Sequence, residues 1–268
     1  MTTANLPEDG EATVGDQVLP PGRRHFAEWN QQLVAWVTDR PVAGAGRTWF
    51  ALSAANEQTG LLPVLLVQAH WIAEPKAGNP PVFGFYSPAD VDFMTQMSAT
   101  SILADAWSDA DDDPYLAAER APFGAQFPGL APAETSRLPQ PRLEQAISAL
   151  PPAYLGLVPA LRPADIPAAV GWSVFGWDFA GGPRARALEI GAVLRSWEKR
   201  FGARLLQIGS DAILRVLVER PPRTLEHALR VAAEHLAFAD ECNQRADYSV
   251  SELGAELVDA PIWTFWWD

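Results

Sequence analysis

The sequence is poor in cysteine. Cys242 is the only cysteine in 268 residues, so no internal disulfide can form. A chain of this length can bury an apolar core without disulfides or a structural metal. A single thiol is typical of proteins that stay in a reducing compartment, and we therefore expect a cytoplasmic location.

Long apolar runs are also missing. The longest, residues 60–69, has about half of the ~20 residues that a membrane-spanning helix needs. The first 25 residues contain four acids and no apolar stretch, which argues against a secretory signal and predicts a disordered leader. We therefore expect a soluble protein that does not bind membranes.

Signatures of catalysis and of cofactor binding are absent as well. The sequence contains neither a Walker motif nor a G-x-G-x-x-G string, and it has only four histidines. His227 and His235 lie eight residues apart, about two helical turns, which is too far for joint ligation of a metal. His235 lies at the edge of the apolar stripe of its predicted helix, which favours a histidine at the boundary of the core. A nucleophilic Cys242 assisted by His235 would lack a third, orienting group. We expect no metal and no cofactor, and we favour a protein that is not an enzyme.

Basic residues are almost missing from residues 48–119. This stretch holds ten acids and one base, whereas residues 154–268 hold fifteen acids and twelve bases. An acidic surface repels nucleic acid and attracts basic proteins, although acidity can also serve solubility alone. The densest acids do not have the spacing of a calcium loop, and a solvated helix end explains them without a metal. If they serve recognition, the candidate contacts to a basic protein partner are Asp109, Asp111, Asp112 and Asp113.

The order of predicted elements divides the chain into four regions. They are a disordered leader (1–25), an acidic N-terminal α/β region (26–119), a proline-rich linker or wrapping segment (120–153) and a C-terminal α+β domain (154–268). In the acidic region, residues 47–71 alternate around the turn NEQTG, which predicts a β-hairpin. A largely helical stretch follows and is expected to end near residue 113.

The C-terminal region has the clearest pattern. It reads as a strand at YLGLVPAL, a helix over residues 185–202, a hairpin, a second helix capped by Thr224, a short helix and a closing strand. The first of these helices has an apolar stripe on one face, formed by Ile190, Val193, Leu194, Trp197 and Phe201, and Gly202 is the expected residue after its end. This order predicts a ferredoxin-like β-α-β-β-α-β unit packed against the N-terminal hairpin and helix. The closing string IWTFWW has large apolar groups on both faces, so we expect a strand covered on both sides.

Several long strings in this region resemble a bacterial family, that of the domain of unknown function 4253. They are LVPALRPADIPAAVGWS (157–173), VLRSWEKRFGARLL (193–206), ERPPRTLEHALRVAAEHLAFADEC (219–242) and the ending WTFWWD. The resemblance implies a soluble bacterial cytoplasmic protein, and it brings no reaction, ligand or catalytic residue with it. Many members have a Phe-Cys-Pro-Asp-Asn string where this chain has FADECNQ, so the thiol is displaced here.

A ligand site is the alternative to partner binding. The loop 176–188 places glycines and charged residues before a helix N-terminus, an arrangement that favours an anion but also suits an ordinary entry loop. Eleven tryptophans could line a pocket or simply fill the core. The candidate ligand-binding residues are Asp178, Arg184, Arg186, His235, Trp263, Trp266 and Trp267.

Three hypotheses follow for the function. The leading one is a non-enzymatic, immunity-like or accessory protein that binds a basic protein through its acidic surface. The alternative is a small-ligand-binding protein or hydrolase that uses a cleft between the two halves of the chain. The third is a purely structural scaffold.

Overall fold

A computed structural model provides the coordinates of the chain. The residues described are 5–27, 30–67, 82–83, 89–108, 118–172, 182–209, 213–239 and 249–267. Within these residues, no helix combines the length and the apolar character that are needed to cross a membrane.

Nine strands in the described part of the chain form a single mixed sheet. They are β1 (Gly10–Val14), β2 (Gln17–Ala27), β3 (Leu33–Thr38), β4 (Leu61–Leu66), β5 (Val82–Phe83), β6 (Tyr154–Pro159), β7 (Ala203–Ile208), β8 (Ile213–Val218) and β9 (Ile262–Trp266). The strand order is β1-β2-β3-β6-β4-β7-β8-β9, and β5 pairs with β2. The β2–β5 and β4–β7 pairs are parallel, and the other pairs are antiparallel.

Helices cover both faces of this sheet. They are α1 (Ala45–Ala54), α2 (Asn56–Thr59), α3 (Ala99–Ser108), α4 (Gln140–Ser148), α5 (Ile166–Val170), α6 (Gly182–Phe201), α7 (Leu225–Phe238) and α8 (Val250–Leu257), with 3₁₀ helices at Val91–Gln96 and Pro163–Asp165. Strand β4 is buried along its whole length, and its residues alternate between two apolar clusters. One cluster contains residues of α3 and α5 to α8, and the other contains residues of α1 and α4.

The expected mixture of helices and strands is confirmed, but the ferredoxin-like arrangement is not. A ferredoxin-like unit would join the four C-terminal strands to one another. Here β4, from the first half of the chain, lies between β6 and β7, while β9 pairs with β8 at the end of the sheet order. The two halves therefore share one sheet, and both contribute residues to the two apolar clusters on its faces. The order of elements along the C-terminal region does not reveal this insertion.

The N-terminal hairpin predicted for residues 47–71 is wrong in its first half. Residues 45–54 form helix α1, and residues 61–66 form a strand, while residues 68–71 lie outside the described part. Alternating apolar and small residues also fit a helix when the large ones recur at the right spacing. Trp49 and Leu52 lie three residues apart and both are buried, and Ala45 lies one turn before Trp49 on the same face. The alanines of this segment then favour the helix over the strand.

The disordered leader predicted for residues 1–25 is also contradicted. Strands β1 and β2 run over residues 10–14 and 17–27 and pair in antiparallel fashion. Their buried residues alternate with exposed ones, so each strand needs few apolar side chains to join the sheet edge. The prediction of disorder from polar composition alone is therefore wrong for these two strands.

The two long C-terminal helices are confirmed. The predicted apolar stripe of α6 is buried throughout, and Gly202 follows it with a φ of +63°, as a C-terminal glycine should. Thr224 caps α7 by accepting a hydrogen bond from the backbone N–H of His227 at 3.3 Å. The β7–β8 pairing is antiparallel, as predicted, although its turn at residues 210–212 lies outside the described part.

The closing strand is covered on one face rather than two. Trp263, Phe265 and Trp267 are buried among the helices of the first cluster. On the opposite face Thr264 is exposed and Ile262 and Trp266 are half-buried. The reason is that β9 lies at the end of the sheet order, beyond the strands over which α1 packs.

Candidate functional site

Two of the predicted site residues meet at one backbone oxygen at the end of α7. The carbonyl of Phe238 accepts a hydrogen bond from Nη2 of Arg186 at 3.1 Å and one from the indole Nε1 of Trp267 at 3.3 Å. Arg186 also lies 3.4 Å from the carboxylate of Glu189, one turn further along α6. The guanidinium therefore closes the C-terminal end of α7, where unsatisfied carbonyls attract cations.

His235 lies inside a box of aromatic rings. The centroid of its imidazole is 4.6 Å from that of Phe265, 4.7 Å from Trp263 and 5.3 Å from Trp197. Burial lowers its pKa from 6.5 to about 3, so the imidazole is neutral at physiological pH. The sequence-based interpretation of a boundary histidine is close, but the ring belongs to the core.

Three buried nitrogens of this aromatic cluster have no hydrogen-bond partner among the described residues. They are Nε2 of His235 and the indole nitrogens of Trp172 and Trp263. His235 and Trp263 meet edge to face, and so do Trp172 and Trp267. In this geometry an N–H group can point at the π face of the neighbouring ring. An aromatic face is a weaker hydrogen-bond acceptor than an oxygen atom. The arrangement packs rings together and places no nucleophile beside His235 among the described residues.

The predicted ligand-binding set is thus only partly assembled. Arg186, His235, Trp263 and Trp267 converge around the end of α7, whereas Trp266 points to the other face of the sheet. Asp178 and the side chain of Arg184 lie outside the described part. The same is true of the predicted partner-binding acids, which are Asp109, Asp111, Asp112 and Asp113.

A buried charge network, which the sequence pattern did not predict, lies beside this cluster. The carboxylate of Glu234 accepts from Arg200 through Nη1 at 2.7 Å and Nη2 at 2.6 Å. It also accepts from Nε1 of Trp197 at 2.8 Å and from the backbone N–H of Ala131 at 2.7 Å. Glu234 is completely buried, so these four donors compensate for the loss of water. The signal available in the sequence was an acid, Glu234, among the apolar residues of a predicted helix, with Arg200 on the predicted helix before it.

This network holds part of the proline-rich segment, residues 128–138, which we call the strap. Arg200 donates to the carbonyl of Ala131 at 2.9 Å, and the backbone N–H of Glu134 donates to the carbonyl of Arg200 at 3.1 Å. His227, on α7, lies 2.9 Å from the carbonyl of Pro132 through Nε2. The strap therefore lies along α6 and α7 and is held mostly through its backbone.

The described acids of the two halves differ in their surroundings. Of the five described acids in residues 48–119, Glu119 is half-buried, whereas Glu57, Asp90, Asp92 and Asp105 are exposed and form no ion pair in the described part of the chain. In the C-terminal region most acids are paired with arginines. These pairs are Asp165–Arg195, Glu189–Arg186, Glu198–Arg162, Glu219–Arg204, Glu234–Arg200 and Asp259–Arg223.

Among the described residues, no group of three or more histidine, cysteine or acidic side chains has the geometry to hold a metal ion. Buried ionisable groups of the C-terminal region are instead paired with an opposite charge, as Glu234 is with Arg200, or lie between aromatic rings, as His235 does.

Comparison with known proteins adds one match. Residues 154–268 match the model of a family described as Domain of unknown function (DUF4253), which confirms the resemblance for the C-terminal region. Searches of the curated proteins and of the solved structures found no match.

Proposed function

Starting from a C-terminal domain of unknown function, we propose that the protein is a non-enzymatic binding module of the cytoplasm, of the immunity-like or accessory type. In this proposal it presents the acidic surface of residues 48–119 to a basic protein. The dense run Asp109, Asp111, Asp112 and Asp113 makes the main contacts.

The observation that carries the proposal is the contrast between the two sets of acids. Paired carboxylates in the C-terminal region have their charge compensated within the fold. Within the described part of the chain, the exposed Asp90, Asp92 and Asp105 form no ion pair, so their field extends into solvent. Together with the excess of acids in residues 48–119, this favours attraction of a basic surface and fast association with it.

The groups expected for a small-ligand site or a hydrolase support that alternative less well. Arg186 is engaged by the carbonyl of Phe238 and by Glu189, and His235 is neutral among rings. A general base needs a titratable group within reach of a substrate proton. Both residues are instead used in holding α6, α7 and β9 together, which leaves binding through the surface as the better supported function.

The test is affinity capture from native lysate with charge-reversed variants. One variant changes the run to lysine by Asp109→Lys, Asp111→Lys, Asp112→Lys and Asp113→Lys. A matched control makes the same change in net charge at four exposed acids elsewhere, by Glu11→Lys, Asp16→Lys, Glu144→Lys and Glu226→Lys.

We expect the wild type and the control to retain the same basic protein and the first variant to lose it. Equal retention by all three proteins would exclude this run as the binding surface. Equal loss in both variants would mean that only net charge matters, and the proposal of a specific surface would then be withdrawn.

A further inference from the structure

Five arginines come together where the strap ends and strand β8 leaves the sheet. We call them the arginine cluster: Arg137, Arg142, Arg204, Arg220 and Arg223. Two acidic residues, Glu219 and Asp259, hold four of them in place. Glu219 lies 3.6 Å from Arg137 and 3.2 Å from Arg204. Asp259 pairs with Arg223 through its carboxylate and accepts from Arg142 through its backbone carbonyl at 2.9 Å.

The cluster carries more positive charge than its carboxylates neutralise. Arg220 donates to a neutral acceptor, the carbonyl of Lys199 at 3.2 Å. Burial lowers the pKa of Arg204, Glu219 and Glu198 raise it, and the nearby Arg137 guanidinium lowers it again. Two guanidinium groups are therefore close enough to repel each other. In a chain with a net charge of −13, a local excess of this kind is unexpected on composition alone.

Hydrogen-bonding capacity is left over in the same place. The guanidinium of Arg137 lies 3.6 Å from the carboxylate of Glu219, and that of Arg142 donates through Nη2 to one backbone carbonyl, so both exposed groups retain N–H donors that face solvent. A guanidinium presents five N–H donors in a rigid fork that matches a carboxylate. The donors of Arg137 and Arg142 can therefore receive a further acceptor, and the surrounding positive charge selects an anionic one.

The cluster is accessible and held in a fixed geometry. The side chain of Arg137 is 68% exposed, and Arg142 is exposed as well. Arg204 lies over the ring of Trp49 with its guanidinium carbon 5.1 Å from the centroid. The backbone N–H of Leu138 donates to the carbonyl of Glu219 at 2.8 Å, which fixes the end of the strap against β8. Arginines already held by such contacts lose little entropy when an anion binds.

We propose that the arginine cluster is a second interaction surface and that it binds an acidic segment of a protein partner. Carboxylates fit because Glu219 already shows how one carboxylate bridges two guanidinium groups of the cluster. The net negative charge of the chain opposes the approach of a long polyanion such as nucleic acid, whereas a short acidic segment can contact the cluster alone. This surface is distinct from the acidic one and takes a partner of opposite charge.

Fluorescence anisotropy with a labelled glutamate decamer tests the proposal on the full chain. A labelled single-stranded oligonucleotide of the same charge serves as the competing probe. The variant Arg137→Glu with Arg142→Glu alters the two exposed members of the cluster. The control, Arg40→Glu with Arg47→Glu, makes the same charge change at exposed arginines outside it. Circular dichroism and thermal unfolding of both variants establish that they fold.

The wild type is expected to bind the glutamate probe more tightly than the oligonucleotide. The cluster variant should bind the glutamate probe about tenfold more weakly, and the control variant should stay within about twofold of the wild type. Equal weakening in both variants would overturn the proposal, and so would tighter binding of the oligonucleotide. A peptide of residues 103–113 of this chain that binds better than the glutamate probe would support it and identify a second copy as the partner.

Discussion

Arg200 and Glu234 form a two-point ion pair in the interior of the protein, with both N–O distances below 2.8 Å and Glu234 fully buried. Arg200 is on α6 and Glu234 is on α7, and both also contact Ala131 of the strap. The pair therefore joins three separate parts of the chain. Its value for stability depends on both partners being present, because a single buried charge is costly.

We expect Glu234→Gln to lower the free energy of unfolding by about 3 kcal/mol, since Arg200 would keep its charge without the matching carboxylate. Urea denaturation followed by tryptophan fluorescence measures the change. Glu226→Gln, at an exposed site on the same helix, should change stability by less than ~0.5 kcal/mol. A cost for Glu234→Gln as small as that of the control would show that the pair is dispensable.

The strap should loosen when one of its contacts to α7, that of His227, is removed. His227→Ala deletes the group that lies 2.9 Å from the carbonyl of Pro132. We expect a loss of about 0.5–1.5 kcal/mol, the usual net value of one hydrogen bond. Hydrogen exchange of the Ala131 and Glu134 amides should accelerate more than that of amides in β7. Uniform acceleration across the protein would indicate a global loss of stability and contradict a local role.

Stability should fall on mild acidification because of His235. Its pKa in the folded protein is lowered to about 3, so below the ordinary histidine value the unfolded chain binds a proton that the folded protein does not. The stabilisation is therefore complete above about pH 6.5 and is lost progressively as the pH falls toward 3, by about 1.4 kcal/mol per pH unit. Buried His25, with a pKa lowered to about 4, adds to the same trend.

Denaturation curves between pH 7 and pH 5 test this dependence. His235→Phe removes the titrating group, so the stability of this variant should change less with pH than that of the wild type. Leu236→Met alters a neighbouring core residue of similar volume without touching any titratable group, and its slope should match the wild type. If His235→Phe leaves the pH dependence of the unfolding free energy unchanged, another titratable group is responsible for it.

Gly46 is a contact point between α1 and α4. A Cβ atom at this position would lie 1.9 Å from Cγ2 of Ile147 and 2.9 Å from its carbonyl oxygen. Gly46→Ala should therefore destabilise the protein by about 1–3 kcal/mol, although alanine is the better helix former. Combining it with Ile147→Ala removes the closest clash, that with Cγ2, so the double variant should lose less stability than the sum of the single ones. Additive losses would show that the two residues do not compete for space.

Local periodicity predicted the C-terminal helices well because their apolar stripes and caps are complete within the segment. Trp197 and Phe201 occupy the buried face that the spacing indicated, and Thr224 caps as expected. The position of β4 between β6 and β7 could not be predicted in this way, since strand neighbours are set by long-range contacts. The helix at Ala45–Ala54 was missed because alternation and helical spacing coexist in a short run of apolar and small residues.

The candidate site was predictable only in part for a similar reason. The helical stripe placed His235 at its edge, but it could not show that Trp263 and Phe265 of the last strand enclose the ring. Nor could it show that Glu234 meets Arg200 or that the strap joins them. Such contacts depend on the packing of α6, α7 and β9, which no single segment encodes.

The central claim is that an uncompensated acidic surface recruits a basic protein. The most direct measurement is affinity capture of the tagged wild-type protein from native lysate at low and at high salt, with the retained proteins quantified by mass spectrometry. The account predicts a basic partner in near-stoichiometric amount at low salt that is lost at high salt. An empty column at low salt, or a partner whose retention does not depend on salt, would contradict it.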